Sequence, residues 1–479
     1  MDYETVIGLE VHIQLSTESK IFSRASAAFG ADPNANIDPL TFGLPGSLPV
    51  LNKQVAESAI MLGIALNCEI RRFNRFARKH YFYPDLPKGY QISQFDEPIC
   101  EHGQLIIRTE EIERTVGITR IHMEEDAGKN IHDPRTKASL VDLNRAGVPL
   151  LEVVSEPDIR SPAEAGAYLK TLRQIARYLG ISDGNMEEGS LRCDANISLR
   201  PQGELKFGTR TEVKNINSFK FVERALHYEI ARQLAILKAG DKVVQETRLF
   251  DSATGTTHPM RSKEESADYR YFPDPDLPPL VVEESWIEKV RSNMPKLPEE
   301  LRVFLMEELD LSSYDASVLT AERDDVEYFM ECLGVCKNAK AACNWISSEL
   351  FGLLKKDGLS TAESPISAQH LGELIRLIDQ GSISGKMAKD VFEEAFKTGG
   401  APSEIIRSRG LEQISDEATL MDVINTILDE NEEQLVAFLE GKDKLRGFFI
   451  GQAMKATKGT ANPQKLNELL DAALEKRKG

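Results

Sequence analysis

The chain has 479 residues, 41% of them hydrophobic and 28% charged, and a formal net charge of −18. That length exceeds one ordinary core and points to roughly two to four domains. Its apolar runs are too short for a membrane span, and its acidic balance argues against a generic polyanion binder. Six cysteines (68, 100, 193, 332, 336 and 343) include no C-x-x-C pair, and the N-terminus Met-Asp-Tyr-Glu lacks the basic and apolar regions of a signal peptide. Reducing cytoplasm is the expected setting.

In chain order, the first segment is Thr5-Val-Ile-Gly-Leu-Glu-Val-His-Ile-Gln-Leu15. At period two it puts Ile7, Leu9, Val11 and Ile13 on one face and Glu10, His12 and Gln14 on the other, which predicts a half-buried strand. Two readings fit the Glu10–His12 pair: a wet sheet face, or ligands for a cation or a phosphate. Five basic residues in nine follow at Arg71–Lys79, then "KHYFYPDLPKGYQ". Arginines among aromatics suit an adenine or a terminal nucleotide, and a solvated loop fixed by proline fits equally well.

"HMEEDAGK" (122–129) sets two adjacent carboxylates before a turn, and periodicity does not settle whether Glu124 or Glu125 faces inward. "VDLNRAGVPLLEVVSEPD" (141–158) places Glu152 in an apolar strand. "LRCDANISLR" (191–200) turns Arg192, Asp194, Asn196 and Arg200 outward, and "RTEVKNINS" (210–218) pairs Glu212 with Lys214 before an Asn-rich turn. Each stretch alone reads as a solvated face. Together, four strands with Glu, Asp, Asn and His on one side suggest a polar concavity, whose carboxylates and single imidazole suit Mg²⁺ or Mn²⁺ better than zinc. Arg192, Arg200 and Lys214 would then face phosphates. His80, His122 and His227 stand alone in the sequence.

One long helix interrupts these strands, with its cap at Asn217 or Ser218 and Gly240 as its stop. From about residue 296 the pattern is helical. "KTGGAPSEIIRSRG" (397–410) reads as a linker, and the last helix starts at Asn462-Pro463. Charge is polarised here: 411–441 holds nine acids and no Lys or Arg, and 442–479 holds nine bases and four acids. No G-x-x-x-x-G-K-[ST], G-x-S-x-G or H-E-x-x-H occurs, so nucleotide chemistry would need another scaffold.

The segments "GLEVHIQL", "KHYFYPDLPKGYQISQ", "VDLNRAGVPLLEVVSEPD", "LRCDANISLR", "TEVKNINSF" and "YRYFPDPDLPPL" closely resemble the GatB family, the B subunit of the aspartyl/glutamyl-tRNA(Asn/Gln) amidotransferase. The tail, with "GQAMKATKGTANPQKLNELL", is similar to that family's YqeY-type domain. The resemblance spans essentially the whole chain. It implies an α+β fold: a mostly antiparallel β cradle over 1–293, an all-α domain over 294–405 and a small helical tRNA-binding tail over 406–479.

It also implies a ligase that forms a carbon–nitrogen bond with glutamine as amido donor. In that family ATP and Mg²⁺ serve to phosphorylate the side-chain carboxylate of mischarged Glu-tRNA(Gln) or Asp-tRNA(Asn). A glutaminase (amidase) subunit then delivers ammonia through a tunnel, and a small third subunit straps the other two together as a heterotrimer. Carried onto this sequence, Glu10, His12, Glu124, Glu125 and Glu152 are expected around the metal. Arg192, Asp194, Asn196, Lys214, Asn215, Asn217 and Ser218 are expected around ATP or the acyl phosphate. Lys79, Tyr81, Lys88 and Glu125 are expected near the tunnel mouth. The residues alone also admit a non-catalytic tRNA-binding scaffold, or a stand-alone Mg²⁺-dependent ligase or nuclease.

Overall fold

The computed structural model describes residues 2–133, 138–260, 268–411, 416–457 and 461–477. Two compact units divide at Pro298. The first is built on a nine-stranded sheet whose strands, in chain order, are β1 (Tyr3–Gln14), β2 (Glu69–Ile70), β3 (Cys100–Arg108), β4 (Glu113–Glu125), β5 (Pro149–Ser155), β6 (Leu191–Pro201), β7 (Thr211–Ile216), β8 (Glu246–Asp251) and β9 (Thr256–Pro259). They lie in the order β9-β8-β7-β6-β1-β5-β4-β3-β2. Every pairing is antiparallel except β7 with β8.

β1 sits at the centre because it alternates cleanly. Ile7, Val11 and Ile13 are fully buried, and they join the main core under α1 (Lys53–Ala65), α2 (Pro162–Tyr178) and α3 (Phe219–Lys238). One face of the sheet therefore carries the helices, and the other is free to be polar.

The expectation of a single helix among the strands is corrected: α1 and α2 are helices too. α1 has its polar residues, Lys53, Gln54, Glu57 and Ser58, crowded into its first turns and is small or apolar after them, so no 3.6-residue stripe marks it. α2 carries a signature that was legible, with Ser161 capping the Glu164 N–H and Pro162 opening the helix. In α3 the last fully buried apolar residue is Leu226, and Ile230 packs half-buried against the core. Beyond Leu226, Glu229 and Gln233 are buried, with Glu229 accepting from Arg232 and ion-paired to Arg248.

The second unit is helical throughout its described residues. Its starts are set by side-chain caps at Ser312, Asn338, Ser367, Ser384, Asp416 and Asn462. The stretch read as a linker is a helix, Pro402–Arg409. Gly399 in the left-handed region ends the preceding helix, Pro402 opens the next, and Ile405 and Ile406 are buried. Leu420, Ile424, Phe449, Leu466 and Leu470 belong to a separate apolar cluster near the C-terminus. Among the described residues no helix is long and apolar enough to cross a membrane.

Candidate active site on the polar sheet face

Antiparallel register makes the site. His12 on β1 lies opposite Glu152 on β5 and opposite Arg192 on β6, and Glu152 lies opposite His122 on β4. Arg192, His12, Glu152 and His122 thus form one row across four neighbouring strands. Side chains directly opposite in such pairs are within contact range. Glu124, two residues beyond His122, emerges on the same face beside this row.

His12 Nε2 lies 3.5 Å from Glu152 Oε2 and 3.6 Å from Glu124 Oε1. One ligand atom from each of His12, Glu124 and Glu152 falls within 4.8 Å of the others. Both carboxylates are largely buried, Glu124 at 3% and Glu152 at 9% exposure. His122 Nε2–H donates to Glu152 at 2.9 Å, because an ionised carboxylate can only accept. Its Nδ1 is buried without a partner among the described residues. Burial alone would push the Glu152 carboxyl up, but His122 and His12 outweigh it and hold the group well below the usual carboxylate range. For His12, burial opposes the charge, and the bond to Glu152 with the charge of Glu124 raises its pKa on balance.

Two members of the cluster, His12 and Glu124, line a cavity of about 430 Å³, with Glu152 behind them. Its lining brings together His12, Glu124, Arg192, Asp194, Lys214 and Asn215, and also Lys79 and Tyr81. Lys214 Nζ contacts Asp194 at 2.7 Å and Glu212 at 3.0 Å. Burial disfavours that ammonium, yet the two carboxylates raise its pKa and keep it charged. Asn215 takes a positive φ of 66° and donates to the Phe250 carbonyl at 3.0 Å. Arg192 is steadied by Asp126 at 2.9 Å, which also accepts from Gln14.

Glu125 points the other way, as strand parity requires. It pairs with buried Lys88 and accepts from the Ile92 N–H at 2.7 Å. Together with Lys20 these residues line a separate chamber of about 10 Å³, room for one water-sized molecule. Burial, helped by the charge of Lys88, pulls the Lys20 ammonium down to about 8 against Asp38 and Glu125.

Residues 5–288 match the profile of the GatB/GatE catalytic domain, and residues 327–474 match the GatB domain. The chain belongs to the GatB family. Its relatives include three proteins, each named as the B subunit of an aspartyl/glutamyl-tRNA(Asn/Gln) amidotransferase. That of Geobacter sp. (strain M21) is 56% identical over 473 residues, covering 98% of this chain and 99% of that protein. That of Thermodesulfovibrio yellowstonii is 54% identical over 470 residues, with the same coverage. That of Persephonella marina is 51% identical over 476 residues, 99% of this chain and all of that protein.

Within this GatB fold the expected site residues separate into groups. Glu10, half-buried, accepts from Asn196 at 3.0 Å two residues along β1 from His12. Its carboxyl is raised by burial and by the charge of Glu152. Lys88 and Glu125 belong to the small chamber, not to the metal-like cluster. Ser218 caps α3 by accepting from the Phe221 N–H, and Asn217 is exposed; neither lines the cavity.

Three participants are absent from the sequence-based set. His122 does not stand alone, Asp126 holds Arg192, and Lys20 lies beside the Glu125–Lys88 pair. His122 carried a local signal, since it shares parity with Glu124, but its partner is 30 residues away.

Proposed function

We propose that this chain is the kinase subunit of a tRNA-dependent amidotransferase. It uses ATP and Mg²⁺ to phosphorylate the side-chain carboxylate of Glu-tRNA(Gln), Asp-tRNA(Asn) or both. Ammonia from a glutaminase subunit, held in the complex with a small third subunit, then displaces the phosphate to give Gln-tRNA(Gln) or Asn-tRNA(Asn). The observation that carries this reading is the His12–Glu124–Glu152 cluster, of which His12 and Glu124 line a cavity that Lys79, Arg192 and Lys214 also line.

The donor set suits the metal. Two buried carboxylates side by side repel each other, and the oxygen-rich triad with one imidazole fits Mg²⁺ or Mn²⁺. When bound, the cation supplies charge neutralisation for the transferring phosphoryl group. The protein's own part is positioning. Lys214 and Arg192 offer donors to phosphate oxygens from the β6–β7 side, and Asp194 and Asp126 hold those cations in place. The substrate carboxylate needs no protein nucleophile, because it attacks phosphorus itself; phosphorylation turns one of its oxygens into a leaving group.

A chamber sized for one water also fits one ammonia, and buried Lys20, Lys88 and Glu125 give it groups able to hold or pass a proton. Lys79 and Tyr81 stand at the cavity wall. The tail over 406–479, with exposed Lys442, Lys444, Lys455 and Lys476, is assigned to the tRNA body.

The test is a magnesium titration of ATP cleavage on the complex with Glu-tRNA(Gln). His12→Ala and Glu124→Gln should shift the midpoint to higher Mg²⁺. Curves that overlay the wild type would reduce the row to a polar sheet face.

A further inference from the structure

The arginines of the basic stretch 71–79 remain outside this scheme, and the structure changes what they offer. Arg71 pairs with Glu101 at 2.6 Å, Arg72 with Glu284, Arg75 with Glu97 at 3.1 Å and Arg78 with Asp274 at 3.0 Å. These arginines are neutralised by acids from other segments, so they do not form a ready phosphate patch. What lies beside Lys79, at the end of the segment, is a row of rings from other parts of the chain.

Phe95 and Tyr271 stack with centroids 4.1 Å apart and planes at 9°, and Tyr269 meets Tyr271 edge-on at 6.0 Å. Lys79 Nζ sits 4.8 Å from the Tyr269 ring centroid. Tyr269 lines the cavity, whereas Phe95 is 56% exposed, so the row runs from solvent into the site. It is held in place by backbone. The His80 N–H donates to the Tyr269 carbonyl at 2.9 Å, Phe272 and Pro273 pair with Arg78 and Ala77, and His80 stacks on Phe272.

We propose that Phe95, Tyr271 and Tyr269 form a stacking track for the unpaired 3′-terminal bases of an aminoacyl-tRNA, which delivers the esterified amino acid to the cavity floor. The inference rests on the tRNA-dependent reading above and names how that substrate is held. Exposed aromatic rows are the usual platform for single-stranded ends, because every base has a π-face. Position argues for RNA over ATP. The phosphate-facing cations Arg192 and Lys214 lie on β6 and β7, whereas the ring row adjoins the β4–β5 side. There Lys79, whose charge burial disfavours, has its pKa raised on balance by Glu124, Tyr271 and Glu152. The terminal base and the amino acid share one ribose, so the base must lie next to the chemistry, as Tyr269 does.

The experiment uses the chain co-purified with its partner subunits and Glu-tRNA(Gln) carrying 2-aminopurine in place of the terminal adenine. Stacking should quench the probe on binding. Phe95→Ala and Tyr271→Ala should restore its fluorescence and raise KM for aminoacyl-tRNA about tenfold. They should leave kcat, KM for ATP and the salt dependence of tRNA binding unchanged, because no phosphate contact is lost. Phe95→Leu, which keeps apolar bulk without a ring face, should behave like alanine, and Phe95→Tyr like wild type.

Unchanged quenching and KM in the alanine variants would overturn the track, as would a rise confined to KM for ATP. Quenching is read on binding alone. A wild-type complex that quenches without forming amide would therefore refute the amidotransferase reading and leave the track standing.

Discussion

The two units of this chain handle charge in opposite ways. In the first, the sheet buries carboxylates against imidazoles in a row over four strands, and Glu124 and Glu152 are kept from water. In the second, helices bury apolar clusters and leave ion pairs such as Arg446–Asp471 and Lys340–Asp310 near the surface. Surface pairs contribute little to stability. Buried like charges cost stability unless something compensates them, so their presence marks a site. The contrast separates function from framework: substitutions in the row should remove chemistry, whereas substitutions among the helices should change grip or stability.

The largest expected effect is at the row. Glu152→Gln removes one charge from the cluster and should lower phosphoryl transfer by roughly a thousandfold or more. Rapid-quench measurement of ATP cleavage decides this; activity within a few-fold of wild type would break the comparison.

Next is His122→Gln, which loses the imidazole that orients Glu152. A 10- to 100-fold loss of metal affinity is expected for such a supporting group, as a rough range. Mn²⁺ binding followed by electron paramagnetic resonance would read it directly, and unchanged affinity would assign His122 to packing alone.

Removing 411–479 should weaken tRNA binding by about tenfold or more and flatten its salt dependence, with ATP binding unaffected. Filter binding at two salt concentrations checks both, and equal affinities would detach the basic tail from RNA.

The Lys20 chamber sharpens the contrast through pH. The Lys20 ammonium titrates near 8 when folded, whereas an unfolded lysine holds its proton to about 10.4. Between those values the unfolded state binds more protons, so wild-type stability rises with pH across that window. Lys20→Met should therefore stabilise the protein by on the order of 2 kcal/mol near pH 7 and progressively less towards pH 10. Chemical denaturation at several pH values would show it. A pH-independent difference would mean that Lys20 is not held against its charge.

Smallest of all, Ser384→Ala in the helical unit removes the cap on the Met387 N–H. It should cost about 1 kcal/mol and no activity.

What the sequence could show followed from reach. Strand parity is local, so the polar face of β1 was legible residue by residue, and Glu152 stood out as the one charge in an apolar strand. The helical second half was legible for the same reason, through caps such as Asn462-Pro463. Strand adjacency is not local. Nothing near His122 announces that β4 lies beside β5, and the choice between Glu124 and Glu125 depends on the same register.

The counter-ions of the basic stretch were not legible, because they are distant in the chain: Asp274 is 196 residues from Arg78. Ser218, grouped with the nucleotide residues from the family resemblance, spends its hydroxyl on the α3 cap, a role the sequence also allows. Lys20 gave no signal, since its burial depends on a chamber built from five separated segments.

The most direct test of the central claim is made on the chain assembled with its glutaminase partner and the small third component. Mg²⁺, γ-labelled ATP and ammonium are supplied with Glu-tRNA(Gln) or Asp-tRNA(Asn), and ATP cleavage and amide formation are followed together. The account predicts that both appear only with mischarged tRNA, and that both fall together in Glu152→Gln. Intact ATP with tRNA bound would contradict it and leave this chain a scaffold.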